Sequence, residues 1–239
     1  EAAYRELSDQ LEDPLDNRPA RFEHLNSELQ KTAPILDLEN LDPIVDEMRK
    51  IKSEAELSLI ETSTRLHGEV ILEAMRSTEI GVTAYELDAV GTYLYRLNNA
   101  GLDTYPIIHI GPDTYINHYH ENIRSAKAGD MILMDYGAFY KHYTSDMTRM
   151  WPANGEFNPV QRELYSFYLI FYESLLYSIE KGLTPQQIIQ KALEETDEAL
   201  ANFIFSADHR REAAERFLNT YRRAAENSRL TLGHGVGLS

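Results

Sequence analysis

Met131-Ile132-Leu133-Met134-Asp135-Tyr136-Gly137 and Tyr143-Thr144-Ser145-Asp146-Met147-Thr148-Arg149-Met150-Trp151-Pro152 decide how this chain reads. Each is a strand-like run carrying one aspartate, and a Tyr/Phe/Lys/His connection joins them. Folded as a hairpin with Tyr140 and Lys141 at its tip, the runs set Asp135 opposite Asp146. Directly opposed residues have Cβ atoms about 5 Å apart on one sheet face, where two carboxylates repel. Aspartate is also a poor strand former. A bound cation reverses the balance, because it gains from both charges. The pair therefore reads as half of a metal site. Two solvated aspartates, or a register shifted by a bulge, are the plainer alternatives.

The 239 residues suffice for one large domain or one domain plus a fragment. Composition is that of a soluble globular protein, 43% hydrophobic and 26% charged. The net charge of −16 argues against nucleic acid or an anionic membrane as main partner, since either calls for a basic patch. With no cysteine, disulfides, thiolate metal sites and a Cys nucleophile are excluded. No apolar run approaches the roughly 20 residues of a membrane span, and no signal peptide opens at Glu1. These features fit a soluble protein, cytoplasmic or exported with its leader removed.

Residues 1–31 are polar and acidic, with weak helical patterns through Tyr4-Leu7-Leu11 and Phe22-Leu25-Leu29. Residues 33–42 read as an extended linker, and Pro43 suits the first position of a short helix through Met48. Residues 1–42 are thus expected to be the tail of an N-terminal domain or a linker, and 43–239 a second domain. Ser53 with Glu56, and Thr83 with Glu86, are capping boxes opening helices to about Met75 and Asn98. Residues 105–120 mix strand and turn signals. Helices are expected again from Asn158-Pro159, with a Phe167/Phe171 stripe, and from Thr184-Pro185, with Ile188, Ala192 and Leu193 inward. Residues 208–229 read as a charged, solvated helix. The fold class is α+β.

Three histidines stand out. His234 lies between two glycines in Gly233-His234-Gly235-Val236-Gly237-Leu238, where close backbone approach leaves room around an imidazole. His118 and His120 are two apart, so on a strand they share a face, as ligands, proton donors or ordinary polar residues. There is no nucleophile elbow, phosphate loop, dinucleotide fingerprint or His-Glu-x-x-His.

Asp135-Tyr136-Gly137, the run from Tyr143 to Pro152 and the Gly233–Leu238 segment together resemble the pita-bread metallopeptidases. Xaa-Pro aminopeptidase (aminopeptidase P) is the nearest branch and prolidase the next. Further marks are Met48-Arg49-Lys50-Ile51-Lys52-Ser53-Glu54-Ala55-Glu56, His118-Tyr119 with Asn122, and Asn154-Gly155-x-Phe157 with Gln161-Arg162. The likeness runs from about residue 43 to the end.

The resemblance implies a pita-bread (creatinase/aminopeptidase) fold, its catalytic domain truncated at the C-terminus. It implies two divalent metal ions held by two Asp, one His and two Glu. Asp135 and Asp146 match the aspartates, with Asp146 bridging both ions, and His234 matches the histidine. Manganese suits such a site, with cobalt, zinc or iron as alternatives. The ions would activate a bridging water and polarise the scissile carbonyl. His118, in a His-Tyr dipeptide 17 residues before Asp135, matches the histidine that hydrogen-bonds the tetrahedral intermediate. The family's two glutamates and a further histidine lie beyond this segment, so a longer natural chain is expected to encode them past Ser239. The implied function is metal-dependent removal of an N-terminal residue that precedes proline. The peptide would carry proline at its second position, and a homo-oligomer is compatible with the sequence. Alternatives are a prolidase acting on Xaa-Pro dipeptides and a non-catalytic pita-bread domain that binds peptides.

Overall fold

Ser53, Thr83, Asn158 and Thr184 each precede a helix and meet a Glu or Gln three residues on. In all four the Glu or Gln side chain accepts the cap residue's backbone N–H, at 2.7–3.0 Å. The computed structural model describes residues 21–35, 38–227 and 231–238. The helical pattern expected through Tyr4-Leu7-Leu11 lies outside the described residues. The chain divides between Ile51 and Lys52 into two units. The first contains α1 (Arg21–Thr32) and α2 (Asp42–Lys50), and α2 buries none of its residues.

The second unit continues with α3 (Glu54–Arg76) and α4 (Ala84–Leu97), followed by β1 (Gly101–Leu102) and β2 (Ile107–Ile110). Next come β3 (Met131–Tyr136), β4 (Ala138–Tyr140), β5 (Tyr143–Thr144) and β6 (Met147–Pro152). Three helices complete it: α5 (Pro159–Tyr177), α6 (Pro185–Asn202) and α7 (Asp208–Ala225). The strands form two antiparallel sheets, ordered β2-β3-β6 and β1-β4-β5. In β3, Ile132, Met134 and Tyr136 are buried, while Met131, Leu133 and Asp135 point to the other, half-buried face. Ile108 and Ile110 pair with Met134 and Ile132, so their side chains join the same core. Val70, Ile71 and Ala74 of α3 and Leu87 and Tyr95 of α4 close it. A second core joins Phe167 and Phe171 of α5, Ile189, Ala192 and Leu193 of α6, and Ala214 and Leu218 of α7.

Three expectations need correcting. The charged helix α7 is not simply solvated: Ala214 and Leu218, small or apolar and four residues apart, pack into that second core. His118 and His120 are not on a strand. β2 stops at Ile110, a 3₁₀ turn spans Gly111–Tyr115, and irregular chain follows.

The third correction concerns the hairpin, whose tip is Lys141-His142. Tyr140 pairs with Tyr143, and both tip residues have positive φ, 49° and 70°. That is the conformation of a type I′ turn, whose twist matches that of the flanking strands. Asn-Gly usually announces such a turn, and its absence hides the true tip. The register is therefore shifted by two residues, and Asp135 faces Thr148. Asp146 lies between β5 and β6, on the stretch opposite Gly137.

At that point the long hairpin breaks between the two sheets. Ala138 and Ser145 stay bonded: the Ser145 N–H donates to Ala138 O at 3.1 Å, and the Ala138 N–H donates to Ser145 Oγ at 3.1 Å. The backbones come so close that a Cβ on Gly137 would lie 1.5 Å from Ser145 O. Only glycine fits. Gly137→Ala should therefore destabilise the fold by about 3 kcal/mol through forced backbone movement. Urea unfolding of the two proteins measures this, and a loss within about 0.5 kcal/mol, the range of ordinary surface changes, would contradict the close approach.

Candidate metal centre

Asp146 is presented at the break. Its neighbours are tied on both sides and its own side chain is free to project. Thr144 N–H donates to Gly237 O at 2.9 Å, and Tyr143 bridges Leu238, so the glycine-rich segment lies along β5. This brings His234 to Asp146, with Nε2 2.9 Å from Oδ2. The two side chains are 73% and 37% exposed. A solvent-exposed pair contributes only about 0–1 kcal/mol to stability, so stability does not account for the contact.

Asp135 sits on the half-buried face of β3, and the Thr148 hydroxyl donates to its Oδ1. The register sets Asp135 on β3 and Asp146 just before β6, two positions out of direct opposition. A groove of about 800 Å³ runs from Asp146 along Met147–Met150 and Leu133 to Tyr165, Tyr168, Leu169 and Tyr172 of α5. It gives the aspartate an apolar and aromatic flank.

His118 lies in the irregular chain after the 3₁₀ turn. It is exposed, its φ is +55°, and its side chain makes no hydrogen bond or ion pair with the described residues. The loop that carries it is well anchored. Buried Asn122 accepts from Ile108 N–H and donates to Pro106 O, at 3.2 and 2.8 Å. Buried His109 donates from Nε2 to Tyr119 O at 3.0 Å.

Several neighbours carry no motif in the sequence. Asp103 N–H donates to Gly137 O at 3.2 Å. Partial burial holds the Asp103 carboxyl above the usual range, the charge of Asp146 adds to this, and His234 opposes it. His67 on α3 is fully buried beneath the sheet break. Its Nε2 donates to Met147 O at 3.3 Å, and its Nδ1 accepts from the Tyr95 hydroxyl. Burial pushes the His67 imidazole down to about 4, against the opposing pull of the bond to Met147 and the charges of Asp146 and Asp135. In the sequence, His67 is one polar residue within an otherwise ordinary helical stripe.

The profile of metallopeptidase family M24 matches residues 58–239. The chain belongs to metallopeptidase family M24. Metallopeptidases work with divalent metal ions. The chain is 33% identical over 135 residues to the Xaa-Pro aminopeptidase of Escherichia coli, covering 56% of this chain and 31% of the relative. It is 28% identical over 212 residues to the Xaa-Pro dipeptidase of Pyrococcus horikoshii, covering 88% and 54%. Proline aminopeptidase P II from Yersinia pestis superposes with a TM-score of 0.69 at 25% identity, covering 90% of this chain and 49% of that one. Zinc-substituted aminopeptidase P from Escherichia coli, in complex with product, gives 0.71 at 24% identity, covering 92% and 52%. The fold is thus that of aminopeptidase P, and the α+β pita-bread expectation is met. The chain spans about a third to a half of the length of these two relatives. Among the described residues no helix is long and apolar enough to cross a membrane.

Asp135, Asp146 and His234, the residues expected to hold metal, are two carboxylates and an imidazole, which would suit a borderline divalent ion in kind. The set falls short in number, since among the described residues no three His, Cys, Asp or Glu side chains converge to hold one. Two predictions follow from this geometry. The 239-residue chain should take up at most one manganese ion, weakly, in equilibrium dialysis; two tightly held ions would show that other carboxylates complete the site. The other concerns His67, whose folded pKa of about 4 lies below its ordinary 6.5. Its contribution is complete above pH 6.5 and is lost as pH falls toward 4, because only the unfolded chain then binds the proton. Urea titrations should show His67→Gln removing about 3 kcal/mol of that pH-dependent loss. An unchanged pH profile would contradict the buried neutral imidazole.

Proposed function

We propose that this chain is the aspartate- and histidine-bearing part of an Xaa-Pro aminopeptidase. The enzyme would hydrolyse the bond between an N-terminal residue and a following proline. The observation that carries the reading is the 2.9 Å contact between Asp146 and His234, residues far apart in the chain, beside Asp135. It is joined by family membership and by the likeness to proteins named Xaa-Pro aminopeptidase. Residues 43–239 would be the catalytic domain, and residues 1–42 a tail or linker outside it.

Asp135, Asp146 and His234 would hold divalent metal, with Asp146 shared between two ions and manganese the leading candidate. When bound, the metal supplies Lewis acidity and water activation. The residues of the chain do the rest. Asp146 would provide negative charge at the break in the sheet, and Asp135 would add to it from β3. Thr148 orients Asp135 through its hydroxyl. His118 would donate a hydrogen bond to the oxygen of the scissile carbonyl as its charge develops, and the anchored loop lets it do so without unfolding. Prolidase activity on dipeptides is the second reading, favoured by the long alignment with the Pyrococcus horikoshii dipeptidase.

The test uses the full-length protein, metal analysis and Xaa-Pro peptides of two and more residues. Asp146→Asn should abolish turnover and lower the content of both ions, because one carboxylate serves two. His118→Ala should lower turnover by roughly 10²-fold, as loss of an oxyanion donor does, while sparing metal content. Metal loss in His118→Ala would reassign that histidine as a ligand. Turnover confined to dipeptides would favour the prolidase reading.

A further inference from the structure

We infer that Ser63 and His67, one turn apart on the buried face of α3, are positioning residues that hold the sheet break in the shape that presents Asp146. The inference rests on the metal-site reading of Asp146. Both side chains are fully buried, Ser63 and His67 each at 0% exposure. Residues four apart on a helix share a face, and these two straddle the break. Ser63 Oγ donates to Ala138 O at 2.8 Å, on the β4 side. His67 Nε2 donates to Met147 O at 3.3 Å, on the β6 side.

The carbonyls are the ones that matter. Ala138 O also accepts the Ser145 N–H, so Ser63 braces the residue just before Asp146 through one shared oxygen. Met147 is the residue just after it. A carbonyl can only accept, so His67 must carry its proton on Nε2, and Nδ1 is then the acceptor for Tyr95. The Tyr95 hydroxyl thus selects the tautomer that grips Met147. Two polar side chains in a core otherwise built of Val70, Ile71 and Ala74 call for a reason. An apolar pair would fill the same space, but it would leave Ala138 O, which braces Ser145, and Met147 O without these donors.

The test compares Ser63→Ala, His67→Phe, His67→Gln, Tyr95→Phe and the control Asp146→Asn in the full-length protein. One readout is cobalt affinity with its visible absorption spectrum. The other is amide hydrogen exchange of residues 144–148 in the metal-free protein. His67→Phe should weaken cobalt binding roughly tenfold or more, as loss of supporting hydrogen bonds does. It should also speed exchange at 144–148 while β2 and β3 stay protected. His67→Gln, whose amide can still donate to Met147 O, should restore both. Ser63→Ala and Tyr95→Phe change less volume and should give smaller shifts in the same direction, so they decide the matter if His67→Phe does not fold. If Asp146→Asn loses cobalt while the α3 and Tyr95 variants bind and exchange like the parent, the positioning role is overturned. If Asp146→Asn binds cobalt normally, the metal-site reading fails and the inference that rests on it is overturned, whatever the exchange shows.

Discussion

The close contact between Gly137 and Ser145 is the constraint on which the rest of this site depends. An antiparallel hairpin as long as β3–β6 would ordinarily continue as one twisted ribbon. Here the ribbon divides between two sheets, because two backbones approach at a distance that only glycine permits. The division leaves Asp146 outside the ladder of either sheet. Within a regular strand its side chain would be fixed by the pleat, and its backbone shielded by a neighbour. At the break, its flanking residues are tied to Ala138 and to His67, and its carboxylate is turned toward the glycine-rich segment that carries His234.

Electrostatics give this arrangement its meaning. Asp103, Asp135 and Asp146 lie close enough to influence one another or the groups between them. Gathering negative charge next to a sheet is unfavourable unless something positive is added. The His234 ring lies against the Asp146 carboxylate, and the Thr148 hydroxyl donates to Asp135. In the metal-site reading, a divalent cation would be the partner that gains from Asp135 and Asp146 together.

The supporting helix shows a second principle. α3 presents an apolar stripe to the sheet, as its periodicity predicts, yet Ser63 and His67 interrupt that stripe, each hydrogen-bonded to a carbonyl. Buried polar groups are tolerated where they are paired. Here the pairing sits at the break between the two sheets.

Much of this was legible in the residues. The capping boxes at Ser53, Thr83 and Thr184 and the Asn158-Pro159 pair located four helix starts, because a cap is a local interaction between neighbours in the chain. The joint pattern of the motifs around the two aspartates and His234 pointed to the fold, and of that expected group the structure joins His234 to Asp146. The hairpin register was misread by two residues, since a type I′ turn at Lys141-His142 carries no Asn-Gly signal and its left-handed backbone is imposed by the strands it joins. The place of His118 in a loop, the burial of one face of α7, and the contacts of Ser63, His67 and Asp103 were decided by tertiary structure alone. Ser63, His67 and Asp103 each meet a partner tens of residues away, and no local pattern records which carbonyl a buried side chain will meet.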